Sequence, residues 1–342
     1  MKMTRTHRIY NRHTKRTQHK LLFVGSFGAI VLLVCWYSVI IFQKNNTVVP
    51  SVKVASSQQL ILANGAKLDW PAAGQAAIGS TDDGLLARSS NNEKKQPTAS
   101  MAKVIAALAV MEKQSFKAGQ KGQSYVFTAK DEANYNMEVD RGGSVVPVYK
   151  GMELTQYEAI QAMLIASANN VADSLVEKTF GSQEAYISYA NDMLHRMGLN
   201  NTVVADASGF NPSTASTPSE LVMIGIAALK NPVIAEIVAQ SDAYIPGVGM
   251  IQNTNDLLGA NGVIGIKTGT TDAAGNCLLF AARYTDKNGK NVTIVGVIMG
   301  DSDATSLFAD SQSLLASVRE GFGLVETEAA NNTAHPHSLP FR

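Results

Sequence analysis

A hydroxyl and an amine lie one helical turn apart in the segment "QPTASMAKVIAALAVMEK", which runs from Gln96 to Lys113. Ser100 opens an apolar run that is typical of a buried helix, and Lys103 follows three residues later. Residues at i and i+3 lie on the same helix face. In an apolar setting the pKa of the ammonium falls, so a neutral amine can accept the serine proton. Taken alone, the pattern also fits an N-cap serine followed by a solvated lysine.

Two later segments carry polar groups that could join this pair. "LIASANNVADSL" sets Ser167 and Asn169 between two predicted helices, where a hydroxyl and an amide can face a cleft. "GIKTGTTDAAG" places the run Lys267–Thr270 on a predicted strand. Gly265 and Gly269 remove side chains from that strand, where a substrate backbone could lie alongside. Each segment alone is also compatible with an ordinary turn or strand end.

The three motifs together are far more specific than any one of them. S-x-x-K, S-x-N and K-T-G follow in this order, with 64 residues from Lys103 to Ser167 and 98 from Asn169 to Lys267. This combination is typical of the penicillin-recognising serine enzymes. At these residues the chain resembles the low-molecular-mass penicillin-binding proteins that are D-alanyl-D-alanine carboxypeptidases. The segments that carry the resemblance are "PTASMAK", "LIASANNVADSL", "GFNPSTASTPSEL" and "GIKTGTTDAAGNCLLFAA".

The resemblance covers roughly residues 70–325 and implies a fold, a substrate and a role for each motif residue. The implied substrate is the D-Ala-D-Ala end of peptidoglycan stem peptides, which β-lactams mimic, and no cofactor or metal is implied. Ser100 would be the acylated nucleophile and Lys103 its base, although base assignment in this superfamily is disputed. Ser167 would relay a proton to the leaving amine, and Asn169 would hold the substrate amide and orient the lysine.

The K-T-G strand would bind the negatively charged end of the substrate. By the same resemblance, Lys267 would supply positive potential, and Thr268 and Thr270 would hydrogen-bond the terminal carboxylate on either side of Gly269. The backbone N–H groups of Ser100 and Thr270 would form the oxyanion hole, where each donor contributes roughly 3 kcal/mol in acyl transfer.

The chain departs from the family pattern at several positions. Ala102 stands where threonine is usual before the motif lysine, and Asn170 stands where aspartate often follows S-x-N. Thr254 occupies the place of an arginine upstream of K-T-G, and no arginine precedes "DSQSLL". Recognition of the substrate carboxylate therefore rests more heavily on the K-T-G-T run.

The elements that must hold these groups follow from the periodicity of the chain. "GQAAIGS" and "GLLARSS" predict two strands near the start of the domain. "VIGIKTGT", "CLLFAARYT" and "NVTIVGVIMG" predict three more, and the Asn288-Gly289 pair predicts a hairpin between the last two. Strands joined so closely are antiparallel. The predicted fold class is an α/β (α+β) sandwich, in which an antiparallel sheet of about five strands is flanked by helices, as in the transpeptidase-like and β-lactamase fold.

Helix signals lie between and after these strands. Thr155 and Thr217, each followed three residues later by glutamate, predict capping boxes at two helix starts. "NVADSLVEKTFG" and "SQEAYISYANDMLHRMG" read as helices that end at Gly181 and Gly198. "DATSLFADSQSLLASVREGF" predicts a closing helix.

The N-terminal part of the chain predicts a membrane anchor. Residues 1–20 carry seven of the 29 basic residues and no acid, which leaves 22 basic against 28 acidic residues in the rest. Leu21–Phe42 follows with 22 uncharged residues, enough to span a ~30 Å hydrocarbon core. The positive-inside rule predicts a single-pass protein in the cell membrane, with its N-terminus cytoplasmic and its body extracytoplasmic. A mildly acidic body disfavours nucleic acid as a partner.

Together these signals divide the chain into five parts. They are a basic cytoplasmic arm at 1–20, a transmembrane signal anchor at 21–42, a linker at 43–70, a transpeptidase-like serine peptidase domain at 71–325 and a flexible tail at 326–342. With 342 residues, 45% of them hydrophobic, the chain is long enough for such a domain to have a proper core.

The count of histidines excludes two alternative functions, and three others stay open. A histidine triad or metal hydrolase needs more than His195, because the other five histidines lie in the arm and the tail. A class A β-lactamase needs a glutamate about 35 residues after S-x-N, where "NNTVVADASGF" offers only Asp206. An endopeptidase that cuts D-Ala cross-links would use the same chemistry on a larger leaving group. A non-catalytic wall-binding protein would not need the motif residues together.

Overall fold

The computed structural model of the chain describes residues 67–326. The predicted arm, the predicted membrane span, most of the predicted linker and nearly all of the predicted tail lie outside the described residues. Within the described range no single helix is both long and apolar enough to cross a membrane. One pair of helices, Pro218–Lys230 and Pro232–Val238, reaches such length and hydropathy only when joined, and its members meet at 105°.

The described region begins with short strands and helices, continues with three long strands, and ends with a long helix and a two-residue strand. Its helices are α1 (Ala102–Lys113), α2 (Ala129–Asp140), α3 (Gln156–Leu164), α4 (Asn169–Phe180), α5 (Gln183–Arg196), α6 (Pro218–Lys230), α7 (Pro232–Val238) and α8 (Ala304–Phe322). Its strands are β1 (Gln75–Ser80), β2 (Gly84–Arg88), β3 (Gln96–Pro97), β4 (Ser124–Val126), β5 (Glu153–Thr155), β6 (Ala215–Ser216), β7 (Asp242–Ile245), β8 (Gly249–Gln252), β9 (Val263–Thr271), β10 (Gly275–Thr285), β11 (Asn291–Asp301) and β12 (Val325–Glu326).

Five strands cross the main sheet in the order β2-β1-β11-β10-β9, and all neighbours are antiparallel. The two-residue strand β12 adds to the end of β10 at Tyr284 and Thr285. The predicted antiparallel sheet is therefore confirmed, and each of the five predicted strand segments takes part in it. The Asn288-Gly289 hairpin is confirmed as well, since Thr285 pairs with Asn291 across it.

The strand β10 is buried on both faces, which explains its unbroken apolar run. Leu278, Phe280 and Ala282 belong to a core cluster that includes the apolar residues of α8. On the opposite face lies α6, where Gly225 lets the helix approach the sheet. A Cβ at that position would stand 2.9 Å from the Val295 side chain. The sheet is thus a middle layer between α8 and the other helices.

The folded region begins before the predicted domain start at residue 71. Leu68 is buried in the core cluster, and Trp70 packs against it. The Asp69 backbone N–H donates to Ser317 Oγ on α8 at 3.0 Å. These contacts tie the entering chain to the last long helix.

The helix α1 is the centre of the helical part, because its Ala, Val, Ile and Met side chains are buried on nearly every face. The capping box at Thr155 is confirmed, with both reciprocal hydrogen bonds to Glu158. The capping box predicted at Thr217 is wrong in its second half. Thr217 caps the helix, but the buried Glu220 carboxylate accepts from Asn201 N at 2.9 Å and from Thr202 Oγ1 at 2.6 Å instead.

Candidate active site

Ser100 lies in a single 3₁₀ turn, Ala99–Met101, that leads into α1. Its side chain makes no capping hydrogen bond, so the N-cap interpretation of this serine is not met. Ala99 adopts a left-handed φ of 46°, a strained backbone conformation of the kind that clusters at functional sites. Gly209 lies against it so closely that a Cβ there would be 1.8 Å from the Ala99 carbonyl oxygen. The turn is therefore held from behind by the 206–214 loop.

Lys103 is fully buried, and its Nζ donates three hydrogen bonds. The acceptors are Ser100 Oγ at 2.8 Å, Asn169 Oδ1 at 2.7 Å and the Ser208 carbonyl oxygen at 3.0 Å. These three bonds satisfy the whole donor capacity of an ammonium group. The predicted base and the predicted nucleophile are therefore within direct proton-transfer distance.

Burial lowers the pKa of Lys103 to about 7, because the ammonium has lost its water. Three carboxylates act in the opposite direction, those of Asp206, Asp173 and Glu138. Desolvation also raises the pKa of Asp173 to about 7, with the Glu138 charge as the next cause. Near neutral pH the lysine thus exists partly as a free amine, the form that a general base needs.

Ser167 and Asn169 come together with that pair through the junction of α3 and α4. Ser167 takes a left-handed φ of 60° just before α4 and is 5% exposed. Asn169 is the first residue of α4, and its Nδ2 donates to Glu138 Oε2 at 2.9 Å. The amide thus lies between Lys103 and a buried carboxylate.

Asn170 explains one departure from the family pattern. Its Oδ1 accepts from the Val146 N–H at 3.1 Å, and its Nδ2 donates to the Val146 carbonyl at 2.8 Å. An aspartate in its ionised form could only accept. The asparagine therefore fastens the start of α4 to the 143–146 segment with a pair of hydrogen bonds that an aspartate could not reproduce.

The strand β9 brings the K-T-G run against the serine turn. A Cβ on Gly269 would be 2.9 Å from the Ser100 backbone nitrogen, so only glycine fits there. A Cβ on Gly265 would be 2.9 Å from the Val238 side chain of α7. The missing side chain of Gly265 therefore makes room for α7 and not for a substrate backbone, whereas Gly269 makes room for the serine turn and also borders the cleft.

Lys267 is almost completely buried on β9, and its Nζ lies 3.5 Å from Thr254 Oγ1. Burial lowers the pKa of Lys267 well below its ordinary value, and the Lys103 charge adds to this effect. Thr254 Oγ1 is also 2.5 Å from Thr268 Oγ1. The threonine that replaces the family arginine is thus in contact with two residues of the predicted carboxylate site.

A cleft of about 300 Å³ opens where these elements meet. It is bordered by the predicted residues Ser100, Ser167, Thr268, Gly269 and Thr270, and by Thr254 at the place of the family arginine. The other residues on its border were not singled out from the sequence: Ser144, Asp256, Asn276, Cys277, Ala304, Leu307 and Phe308. Thr270 Oγ1 donates to Asn276 Oδ1 at 3.0 Å on this wall. The motif residues are therefore brought together around one cleft, with Lys103 and Asn169 behind the serine.

Asp206, the only acidic candidate for a lactamase-type base, has its carboxylate engaged within its own loop. It accepts from Ser208 Oγ at 2.8 Å, from the Asn211 N–H at 3.1 Å and from the Thr214 hydroxyl. A larger cavity of about 620 Å³ is lined by Asp206 and Asp173, but by none of the predicted motif residues. His195 is exposed on α5, and within 67–326 no cluster of three or more metal-ligating side chains occurs.

The family model of peptidase S11, D-alanyl-D-alanine carboxypeptidase, matches residues 66–303. The chain belongs to this family. Its relatives include both D-alanyl-D-alanine carboxypeptidases and D-alanyl-D-alanine endopeptidases. The D-alanyl-D-alanine carboxypeptidase DacC of Escherichia coli is 27% identical over 247 residues, which cover 71% of this chain and 59% of DacC. DacB2 of Mycobacterium tuberculosis is 29% identical over 212 residues, which cover 60% of this chain and 68% of that one.

A D-alanyl-D-alanine endopeptidase of E. coli is 24% identical over 257 residues, which cover 73% of this chain and 78% of the endopeptidase. Among solved structures of S11-like proteins, a penicillin-binding protein homologue from M. tuberculosis superposes with a TM-score of 0.65 at 25% identity. That match covers 75% of this chain and 95% of the homologue. The penicillin-binding, transpeptidase-like fold is thus confirmed. The chain spans only about three fifths of the length of DacC.

Proposed function

We propose that this protein is a membrane-anchored serine-type D-Ala-D-Ala carboxypeptidase. It removes the terminal D-alanine from peptidoglycan stem peptides through an acyl-enzyme and is inhibited by β-lactams. The observation that carries the proposal is the hydrogen bond of 2.8 Å between Lys103 Nζ and Ser100 Oγ, made by a lysine whose pKa burial lowers to about 7. A structural lysine has no reason to be desolvated against a serine hydroxyl at the edge of a cleft.

Acylation would begin at Ser100. Its Oγ attacks the carbonyl carbon of the penultimate D-alanine while the hydroxyl proton passes to neutral Lys103. The negative charge that develops on the carbonyl oxygen is stabilised by the backbone N–H groups of Ser100 and Thr270. The close approach of the strand and the serine turn at Gly269 supports this role.

The proton held by Lys103 passes through the Ser167 hydroxyl to the nitrogen of the scissile bond. As the nitrogen gains this proton, the tetrahedral intermediate collapses, the peptide C–N bond breaks and D-alanine departs as an amine. A water molecule attacks the ester on Ser100, gives its proton to Lys103 and forms a second tetrahedral intermediate. Cleavage of the ester C–O bond returns the proton to Ser100 Oγ and releases the shortened peptide.

The terminal carboxylate of the substrate would bind at the K-T-G-T wall. Thr268 and Thr270 place hydroxyl groups at the cleft, and Thr254 places a third one beside Lys267. Thr270 now donates to Asn276, and Thr254 and Thr268 share one hydrogen bond, so these hydroxyl protons would turn toward the carboxylate as it binds. The positive charge of Lys267 would favour an anionic ligand, because binding an anion stabilises the ammonium form against the cost of burial. This arrangement would replace the carboxylate-binding arginine that the sequence lacks.

Anchoring in the cell membrane is part of the proposal and rests on residues 1–42. The seven basic residues before the uncharged stretch favour a cytoplasmic N-terminus and an extracytoplasmic domain. Protease added outside spheroplasts is expected to degrade the domain and to leave an N-terminal fragment in the membrane. A domain that stays protected until the cells are lysed would contradict this orientation.

The experiment that tests the proposed activity is mass spectrometry of the full chain in detergent after incubation with penicillin. A stable adduct on Ser100, absent in Ser100→Ala of equal thermal stability, is the expected result. Release of D-alanine from a pentapeptide monomer would follow with the wild-type protein only. Rapid loss of the drug without an adduct would favour a lactamase instead, and the absence of both adduct and turnover would favour non-catalytic wall binding.

An endopeptidase that cuts D-Ala cross-links is the second candidate. It is supported by the similarity to the E. coli endopeptidase, and it would use the same acyl-enzyme. The two activities differ only in the amine that leaves. Cross-linked dimer muropeptides offered beside the pentapeptide monomer therefore separate them. Faster cleavage of the dimer would make the endopeptidase the main activity.

A further inference from the structure

A buried carboxylate that no motif contains lies directly behind the Asn169 amide. Glu138, near the end of α2, is fully buried, and its Oε2 accepts from Asn169 Nδ2 at 2.9 Å. Its other oxygen, Oε1, accepts from the Arg141 guanidinium in an ion pair. The chain of contacts therefore runs from Arg141 at the surface through Glu138 and Asn169 to Lys103.

We propose that Glu138 is a positioning residue for the Ser100–Lys103 pair, holding the Asn169 amide with its oxygen toward the lysine. This inference rests on the proposed function. An ionised carboxylate only accepts hydrogen bonds, whereas an amide has one accepting end and one donating end. With Glu138 on one side, the NH₂ group must face the carboxylate, and the oxygen must face Lys103. Without that carboxylate, either orientation of the amide would be open whenever Lys103 is neutral, because a neutral amine can both donate and accept.

Gly143 shows that the chain leaves space for this contact. A Cβ there would stand 2.4 Å from Glu138 Oε2 and 2.8 Å from Asn169 Nδ2, the two atoms that form the hydrogen bond. The φ of this glycine is not in the left-handed region, so alanine would meet the two side chains rather than backbone strain. The glycine therefore allows the carboxylate and the amide to meet.

Arg141 links the same contact to the second acceptor of the lysine. Its guanidinium lies over the Phe210 ring, 4.5 Å from the centroid, while it pairs with Glu138. Phe210 belongs to the loop whose Ser208 carbonyl accepts from Lys103. Arg141 thus contacts the partners of two acceptors of the Lys103 amine, the Asn169 side chain and the Ser208 carbonyl.

The charge of Glu138 also affects the pH at which Lys103 becomes a neutral amine. The charged groups that face Lys103 are the carboxylates of Glu138, Asp173 and Asp206 and the Lys267 ammonium. The three carboxylates raise the pKa of Lys103, whereas the charge of Lys103 lowers the pKa of Lys267. Loss of the Glu138 charge alone would therefore lower the pKa of Lys103, so that the amine would be neutral at a lower pH.

The test is the acylation rate of the full chain by a fluorescent penicillin between pH 5 and 9. Glu138→Gln should lower the plateau rate roughly ten- to a hundredfold, the loss seen when outer hydrogen-bond partners of site residues are removed. It should also move the midpoint of the rise with pH to a lower pH. Gly143→Ala keeps every charge, so it should lower the plateau with a smaller change in the midpoint. A purely structural role for Glu138 would change thermal stability without moving the midpoint.

Glu112→Gln is the matched control, because it removes another arginine–carboxylate contact, with Arg196, at the far end of α1. It should leave both the plateau and the midpoint unchanged. Acylation of Glu138→Gln and Gly143→Ala at the wild-type rate and midpoint would overturn the inference while leaving the proposed function intact. If Glu138→Gln does not fold, a wild-type plateau rate in Gly143→Ala is sufficient by itself to overturn the inference about Glu138. A wild-type chain that forms no adduct overturns the proposed function, and this inference with it.

Discussion

The chemistry of single residues in this protein depends on one amine kept near neutrality by burial. Lys103 makes three hydrogen bonds and has a pKa of about 7, so a moderate rise in pH converts it from an acid into a base. The same burial that weakens its charge also fixes its position. Reactivity and geometry at Ser100 therefore have the same physical cause.

The acylation rate of the wild-type protein should therefore rise as the pH passes through about 7. Below this value the amine of Lys103 is protonated and cannot accept the Ser100 proton. Lys103→Arg should lose acylation at every pH, because a guanidinium does not deprotonate in proteins. Stopped-flow measurement of protein fluorescence quenching by a penicillin gives the acylation rates of the wild-type protein and of Lys103→Arg. A wild-type rate that stays flat from pH 5 to 9 would contradict the assignment of the base.

Asp173 should make the domain less stable as the pH rises. Burial raises the pKa of Asp173 from 3.8 to about 7, so the folded state holds a proton that the unfolded state has lost between these values. Stability therefore falls across this window, and on the order of 4 kcal/mol is lost above it. Asp173→Asn should raise the free energy of unfolding at pH 8 and change it little at pH 4.

Urea unfolding of the wild-type protein and Asp173→Asn at the two pH values checks this expectation. Asp192→Asn, at an exposed position on α5, serves as the control and should leave the pH dependence unaltered. An equal effect of Asp173→Asn at pH 4 and pH 8 would show that the carboxyl does not titrate in this window.

The sequence could identify the motif residues because their types and order are specific, but it could not identify the groups that support them. Glu138 lies 31 positions from Asn169 in the chain, and only the packing of α2 on α4 brings them together. The interpretation of Gly265 failed for the same reason. Its neighbour Val238 comes from α7, a helix that the sequence analysis did not predict.

At the scale of elements, the serine turn is held between two segments that approach it through glycines. Gly269 on β9 meets the Ser100 nitrogen from the front, and Gly209 meets the Ala99 carbonyl from behind. The turn can therefore keep its strained left-handed residue because its neighbours leave no room for another conformation. The Ser208 carbonyl reaches Lys103 from the same rear loop.

Gly209→Ala should disturb this turn more than backbone strain alone explains. Gly209 and Gly198 have similar left-handed φ values, 76° and 79°, so alanine costs about 1–2 kcal/mol at either place through strain. Only at Gly209 would the new Cβ meet backbone, at 1.8 Å from Ala99 O, whereas nothing lies within 4 Å at Gly198. We expect a further loss of about 1–3 kcal/mol and at least tenfold slower acylation for Gly209→Ala.

Thermal unfolding and penicillin acylation of the two variants provide the comparison. Gly198→Ala should be acylated at the wild-type rate. Equal losses of stability and equal rates in both variants would show that the close approach at Gly209 does not hold the serine turn.

The predicted elements are those whose signal is local. Alternating or continuous apolar runs predicted the five strands of the main sheet. N-terminal caps or terminal glycines predicted α3, α4, α5 and α6. The helix α2 was not predicted because it is mostly polar, although Thr128 and Asp131 form a capping box at its start. Short pairs such as β7–β8 also escaped, since a four-residue strand carries little periodicity of its own.

At the scale of the whole molecule, the first and last parts of the described chain both pack against the same core and sheet. Leu68 is buried in the cluster that includes α8, and β12 pairs with β10 just after that helix ends. The domain start was predicted at residue 71 because the stretch before it is mixed and polar in composition. The contact of Leu68 is non-local, so no property of the nearby sequence could reveal it.

Leu68→Ala should therefore destabilise the full chain by about 2–4 kcal/mol, as expected for truncation of a buried leucine. Val325→Ala, at the opposite end of the described region and 63% exposed, should cost less than about 0.5 kcal/mol. Denaturant unfolding followed by intrinsic fluorescence measures both. Equal and small effects would mean that the stable core begins after Leu68.

The exposed position of Arg141 has a consequence for how such a protein can evolve. Its side chain reaches the surface, yet its contacts with Glu138 and Phe210 connect it to two of the three acceptors of the Lys103 amine. Under antibiotic selection, slower reaction with the drug could thus arise by substitution at a surface arginine, with every motif residue retained. Resistance surveillance confined to the cleft and its three motifs would miss such a lineage.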